Sequence, residues 1–162
     1  MIEFIYDTFA HLRDWRSLAV YANWFEEFGA AVHAKGAPFR HFVGFVDGKV
    51  QPLARPGFYQ HVMYNGNDCV HCFKWQGIML PNGMQPFPFG PICGSNHDSF
   101  MLRKSHLLAA MERIANYLGW AYSMYGDLAY PNGPFVKRPY DQPVAGSWQV
   151  HHLASPPAAA HW

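Results

Sequence analysis

Three aspartates stand at the ends of predicted secondary-structure elements, where carboxylates often take part in chemistry. Asp47 follows the β-favouring run at residues 42–46, Asp127 follows a short apolar strand, and Asp98 comes directly before a predicted helix. Three carboxylates that meet at one edge of a sheet repel one another unless divalent cations lie between them. The pattern therefore predicts a divalent metal site made by Asp47, Asp98 and Asp127.

A second candidate site is the Cys-x-x-Cys pair formed by Cys69 and Cys72. A structural zinc site needs four ligands, and no second Cys-x-x-Cys or His-x-x-x-His pair follows at zinc-finger spacing. Positions 69 and 72 of a strand also point to opposite faces. We therefore interpret these residues as core cysteines, with zinc or redox chemistry as the alternative. His151, His152 and His161 lack carboxylate or cysteine partners at ligand spacing, so they do not predict a metal site.

The elements that must position the aspartates follow from the apolar periodicity. We predict an α/β domain. A buried strand ends in a turn at Asp47-Gly48. The two prolines within the following residues 49–57 exclude a central strand there. Residues 69–80 form a long strand that is paired through a turn at 81–83 with residues 84–92. Pro86 and Pro88 place that partner at an edge or a bulge. One helix runs from Asp98 to Gly119, and a short strand covers residues 120–125.

Composition sets further limits on the class of protein. The chain has 162 residues, of which 50% are hydrophobic, 17% aromatic and 14% charged, with a formal net charge of +1. These values favour one globular domain and exclude a disordered protein. Because the net charge is close to zero, any basic surface that binds nucleic acid has to be local. Lys49 and Arg55 are candidates for such a surface. The low charge also allows exposed apolar surface that a partner protein covers.

Location is predicted from the same composition. No apolar run reaches the ~18 to 20 residues of a membrane-spanning helix, and no secretory signal precedes the first predicted helix. Three cysteines, an odd number, suit a reducing compartment. We expect an intracellular protein, nuclear or cytoplasmic, that is neither secreted nor bound to a membrane.

The ordered motifs resemble a known family. Phe-Val-Asp-Gly, Arg-Pro, Tyr-Asn-Gly, a Pro-Asn-Gly hairpin, Asn-His-Asp-Ser and Tyr-Gly-Asp-Leu-Ala-Tyr-Pro occur in the order seen in Harbinger-type transposase nucleases of the DDE endonuclease superfamily. The resemblance covers roughly residues 30–135. It implies a ribonuclease H-like mixed sheet with flanking helices, DNA as substrate and Mg²⁺ or Mn²⁺ as cofactor. It also implies that Asp47, Asp98 and Asp127 are catalytic and bind metal, with no small-molecule cofactor.

Two departures from the family pattern change the expectation. Lys49 stands where the family usually has threonine after Asp-Gly, and no glutamate follows Glu112, although the family supplies its last acidic ligand from a downstream helix. Asp141 is a weak candidate for that ligand. We therefore expect a truncated copy, incomplete at the C-terminus, that binds metal weakly and cleaves DNA little or not at all. The alternative is a non-enzymatic domesticated module that binds DNA or protein.

The resemblance and the composition together predict the domain organisation. Residues 1–38 are expected to form a helical lead-in, residues 39–140 a partial ribonuclease H-like nuclease domain, and residues 141–162 a disordered tail.

Overall fold

A computed structural model describes residues 4, 7–8 and 15–139 of the chain. From residue 15 onward the helices are α1 (Trp15–Ala19), a short 3-10 helix (Ala22–Trp24), α2 (Phe25–Ala34), α3 (Gln60–Met63), α4 (Asp98–Ser105) and α5 (Leu107–Leu118). The strands are β1 (Phe42–Pro52), β2 (Tyr64–Asn65), β3 (Val70–Met79), β4 (Phe89–Cys93), β5 (Ser123–Tyr125) and β6 (Val136–Lys137). The predicted α/β class is confirmed.

The described strands form one mixed sheet of six strands. Its order is β2-β3-β1-β5-β6, and β4 pairs with β3 outside this path. β1 is antiparallel to β3 on one side and parallel to β5 on the other, and β5 is parallel to β6. β1 therefore lies inside the sheet, where residues from both neighbouring strands can approach Asp47.

A single hydrophobic core joins the sheet to its flanking helices. α2 packs on β1, α4 packs on β3 and β4, and α1 contacts α5. These contacts follow from apolar residues at helical spacing, which give each helix one face to bury. The largest fully buried apolar side chains come from every layer: Leu18, Phe25, Val43, Ile78, Leu80, Met101, Leu102, Leu107, Met111, Met124 and Tyr130.

Strand β1 is longer than the sequence predicts, so the predicted turn at Asp47-Gly48 is wrong. β1 continues to Pro52, and its pairing with β3 runs without interruption from Phe45↔Met79 to Pro52↔Cys72. Gly48 lies inside the strand, where a Cβ would be in tight contact with Asp98 of α4, as described below. Pro52 is the last residue of the strand, where a missing N–H costs little.

The hairpin partner of β3 is shorter than predicted. β4 begins at Phe89, so Pro86 and Pro88 lie before it, and its pairing with β3 has an irregularity between Lys74 and Gln76. β4 pairs with β3 alone among the described strands, which agrees with the expected edge position.

The predicted helix from Asp98 to Gly119 is two helices. His106 has a left-handed backbone with φ 58° and separates α4 from α5, although the apolar pattern continues across it. Gly119, with φ 69°, ends α5 as expected, because glycine adopts this conformation without a steric cost.

The predicted helical lead-in (residues 1–38) is described only in part, and the predicted tail (residues 141–162) is not described. The helices observed within residues 15–38 contribute Leu18, Phe25 and Phe28 to the common core. The predicted tail, including the histidines at 151, 152 and 161, lies outside the described residues. Within the described part of the chain, no helix has both the length and the apolar character needed to cross a membrane.

Candidate metal centre

Asp47 and Asp127 each follow a residue of the parallel pair formed by β1 and β5. Phe45 of β1 pairs with Tyr125 of β5, and each aspartate comes two residues later, Asp47 within β1 and Asp127 in the turn after β5. The rings of Phe45 and Tyr125 are in edge-to-face contact, with their centroids 6.4 Å apart. The pairing therefore places both aspartates after the same pair of residues.

The carboxylates of both residues are oriented by the local backbone and face solvent. Oδ1 of Asp47 accepts a hydrogen bond of 2.8 Å from the N–H of Gly48, and Oδ1 of Asp127 accepts one of 2.9 Å from the N–H of Ala129. Both side chains are exposed. Such local bonds hold a short side chain with little freedom while the carboxylate stays accessible to a ligand.

Asp98 is held differently, by a buried lysine. It is the first residue of α4, and its Oδ1 lies 2.9 Å from Nζ of Lys74 on β3. Nζ also donates to the backbone oxygen of Asn96 at 3.1 Å. The N-cap position belongs to His97, whose side chain makes no capping bond, so Asp98 is not the N-cap residue of α4. The carboxylate instead forms an ion pair between α4 and the sheet.

Gly48 lets the Asp98 carboxylate lie directly against β1. A Cβ atom at Gly48 would be 3.1 Å from Oδ1 and 3.2 Å from Cγ of Asp98. Successive side chains of a strand point to opposite faces, so Asp47 leaves β1 on the other face from the one that Asp98 contacts. Asp98 and Asp47 thus approach neighbouring residues of β1 from opposite sides.

One buried hydroxyl connects the three aspartates electrostatically. Tyr130 is fully buried, and its hydroxyl has no hydrogen-bond partner among the described residues. Burial raises the pKa of this phenol, and the negative charges of Asp98, Asp47 and Asp127 raise it further. All three predicted site residues therefore help to keep this hydroxyl neutral.

Tyr130 takes this position because the chain turns back after β5. A Cβ at Gly126 would be 3.0 Å from the Tyr130 ring, so glycine is required where the ring passes under the end of the strand. The Tyr-Gly-Asp-Leu-Ala-Tyr motif therefore places a carboxylate and a buried phenol at one end of the sheet.

The donor atoms suit a hard divalent cation. Carboxylate oxygens are the ligands that Mg²⁺ and Mn²⁺ prefer, and the three aspartates with Lys74 carry two more negative charges than positive ones. The unpartnered Tyr130 hydroxyl can serve a metal-bound water or a carboxylate. As they stand, however, no three His, Cys, Asp or Glu side chains within residues 15–139 are grouped to hold a metal ion. The donor chemistry fits, but Asp98 pairs with Lys74 and approaches β1 from the face opposite to Asp47.

Sequence reasoning missed Lys74, Gln76 and Tyr130. Every second residue of β3 from Cys72 to Leu80 is buried, so Lys74 and Gln76 fall on the same face as Ile78. The N–H of the Gln76 amide donates to the hydroxyl of Ser105 at 3.0 Å, while its Oε1 is buried without a partner among the described residues. The period of two along β3 is the signal that could have identified Lys74 and Gln76 as buried residues.

The cysteine pair behaves only partly as predicted. Cys72 is buried in the sheet, but Cys69 is exposed and precedes β3, so the core interpretation holds for Cys72 and is wrong for Cys69. Burial raises the pKa of the Cys72 thiol, which disfavours the thiolate that a metal or a redox reaction requires.

No family model, curated protein or solved structure matches this chain.

Proposed function

We propose that residues 39–140 are a DDE-superfamily nuclease domain of Harbinger-transposase origin, with a ribonuclease H-like sheet, that binds Mg²⁺ or Mn²⁺ weakly and is impaired in DNA cleavage. The observation that carries the proposal is the parallel pairing of Phe45 with Tyr125, since Asp47 and Asp127 each follow two residues after this pair. The effect of both carboxylates on the pKa of the buried Tyr130 phenol supports it. The mixed sheet with helices packed against it supports the finer fold assignment.

In this proposal Asp47 and Asp127 supply the accessible metal ligands. The expected role of Asp98 as a third ligand would require its carboxylate to leave Lys74 and to reach the other face of β1. In sites of this type, two cations ~3.5 to 4 Å apart activate the attacking water and stabilise the leaving oxygen. Here the backbone N–H groups of Gly48 and Ala129 orient the two exposed carboxylates. Lys49 lies two residues beyond Asp47 on the same face of β1 and is exposed, so it can contact a DNA phosphate beside the site.

Cleavage is expected to be impaired because Lys74 engages Asp98. Glu112 does not replace Asp98, since it is exposed on α5, a different helix from the one that begins at Asp98. A site with incomplete ligands orients the water and the phosphate poorly, and misplacement by about 1 Å can cost ~10²-fold in rate.

A nicking assay on supercoiled plasmid DNA with Mn²⁺ tests this function. We expect no nicking above that of Asp47→Ala, while Mn²⁺ binding remains measurable in the parent and is lost in the variant. Turnover that Asp47→Ala abolishes would show that the domain is an active nuclease. Absence of Mn²⁺ binding in the parent would contradict the metal site itself.

The second candidate function is a non-enzymatic module that binds DNA or protein. It is favoured by Phe58 and Tyr59, which are 82% and 74% exposed on the loop after β1. Large aromatic side chains at such exposure are typical of binding surfaces. Partner binding that survives removal of the aspartates and is lost in Phe58→Ala would favour this function over the nuclease.

A further inference from the structure

The sheet has one face that the described helices leave open. Along β3 every second side chain from Cys72 to Leu80 is buried, while the side chains between them point to the other face and are half-buried or exposed. β1 shows the same alternation, since Val46 is buried and Phe45 is exposed. Val46 belongs to the core that the helices share with the buried side of β3. The face that carries Phe45 is therefore the open one.

Three large side chains form a row across this open face. Phe45 of β1 pairs with Met79 of β3 on one side and with Tyr125 of β5 on the other, so these three residues, here called the apolar row, lie at one level of the sheet. Phe45 is 45% exposed, Met79 is 42% exposed and Tyr125 is half-buried. Beside the row, a Cβ placed at Gly77 would meet no described atom within 4 Å. Adjacent apolar side chains at such exposure are typical of a surface that another segment covers.

The chain returns to the apolar row where the described residues end. Lys137 of β6 pairs with Tyr125 of β5, so the chain leaves β6 at the level of the row. Neighbouring strands lie about 4.8 Å apart, which places β6 about 10 Å from β1 and about 15 Å from β3. An extended chain spans about 3.3 Å per residue, so the eleven residues from Lys137 to Trp148 can reach about 36 Å. That length exceeds the width of the row.

Residues 140–162, which lie outside the described residues, have a composition that suits this surface. They contain one carboxylate, that of Asp141, and neither lysine nor arginine. Covering the row with them would therefore bury no unpaired ammonium or guanidinium group. Trp148 and Val150 are two positions apart, so an extended backbone turns both side chains to one side. Tryptophan also buries a large apolar area when it packs on other side chains.

We propose that the segment after β6 crosses the open face and packs Trp148 on the apolar row. Residues 1–14 suit the place less well, because they lead into α1, whose Leu18 belongs to the core on the other face. Asp47 lies on the open face two residues beyond Phe45, so the segment also borders this exposed carboxylate. The inference gives a role to part of a segment that composition alone predicts to be disordered, and it depends neither on a metal ion nor on the proposed nuclease function.

Proton–carbon spectra of the full chain, labelled at its methionine methyl groups, test the contact. A methyl group above an aromatic ring is shifted upfield, so the Met79 methyl, assigned with Met79→Leu, is expected upfield and with a nuclear Overhauser effect to an indole ring. Trp148→Ala should move this signal to the position of a free methionine and remove the Overhauser effect. Trp162→Ala, in the same segment, is the matched control and should leave the signal unchanged. Met84, 51% exposed and outside the row, should not respond to either variant.

Two results would overturn the inference. The first is an unchanged Met79 signal in Trp148→Ala, which would show that Trp148 does not cover the row. The second is a Met79 signal that shifts with protein concentration and is insensitive to Trp148→Ala, which would assign the open face to a second copy of the chain. If Trp148→Ala does not fold, Trp148→Leu is measured in its place, because leucine keeps an apolar side chain and has no ring. Circular dichroism verifies that each variant is folded.

Discussion

Phe45 of β1 pairs with Tyr125 of β5 in parallel register, and two residues beyond this pair the chain places Asp47 on one strand and Asp127 just after the other. These residues are 80 positions apart in sequence, yet each follows the same pair of residues of the β1–β5 ladder. The metal-site proposal depends on this pairing more than on any individual motif.

Gly48→Ala is expected to destabilise the fold by about 1 to 2 kcal/mol. Alanine in a strand ordinarily stabilises by roughly 0.5 to 1 kcal/mol over glycine, but here its Cβ would press on Oδ1 and Cγ of Asp98 and disturb the pair with Lys74. Urea unfolding measures the difference.

The matched control is Gly77→Ala, on the neighbouring strand. Nothing lies within 4 Å of a Cβ placed at Gly77, so this variant is expected to be as stable as the parent or slightly more stable. If Gly48→Ala matched Gly77→Ala in stability, the close packing of Asp98 on β1 would be wrong.

Tyr130→Phe is expected to change the free energy of unfolding by less than about 1 kcal/mol, because the hydroxyl it removes has no partner among the described residues. Mn²⁺ affinity should fall by about 2- to 10-fold, since the hydroxyl is then missing from the acidic site. Tyr117→Phe, exposed on α5, is the control and should alter neither quantity. A loss of more than 2 kcal/mol with unchanged affinity would instead assign Tyr130 a purely structural role.

Stability is expected to fall on acidification partly through His41. Burial and the positive charge of Lys137 lower the pKa of His41 below its ordinary value of 6.5. The unfolded chain therefore takes up this proton first as the pH falls, so stability is lost from about pH 6.5 down through the lower pKa of the folded state.

Thermal unfolding at pH 7.5 and pH 5.5 measures this contribution. His41→Phe keeps an aromatic ring beside Phe39 and Phe42 and should show a smaller drop in Tm between the two pH values than the parent does. His61→Phe, at an exposed position of α3, should leave the drop unchanged. An identical drop in the parent and in His41→Phe would remove His41 as a source of the pH dependence.

The local sequence was sufficient to predict much of the sheet. The β-favouring residues before Asp47 and the run ending at Leu80 identify β1 and β3, and the predicted antiparallel pair across the turn at 81–83 is observed as β3 with β4. The extension of β1 to Pro52 was missed because Asp-Gly and proline favour turns locally, whereas here eight consecutive pairs with β3 outweigh that preference.

The rest depends on contacts that no local pattern contains. The break at His106 requires a left-handed residue in the middle of a continuous apolar pattern. The Lys74 pair joins residues 24 positions apart, and only the packing of α4 on β3 brings them together. The motifs thus predicted the three aspartates as site residues, whereas the ion pair of Lys74 with Asp98 is evident only from the fold.

Titration of the chain with Mn²⁺, followed by calorimetry, tests the central claim most directly. The parent and Glu112→Ala, which removes an exposed carboxylate on α5, are expected to bind with the same heat and affinity. Asp47→Ala and Asp127→Ala are each expected to lose that heat. Equal heats in all four proteins, or no heat in the parent, would contradict a metal site at these two aspartates.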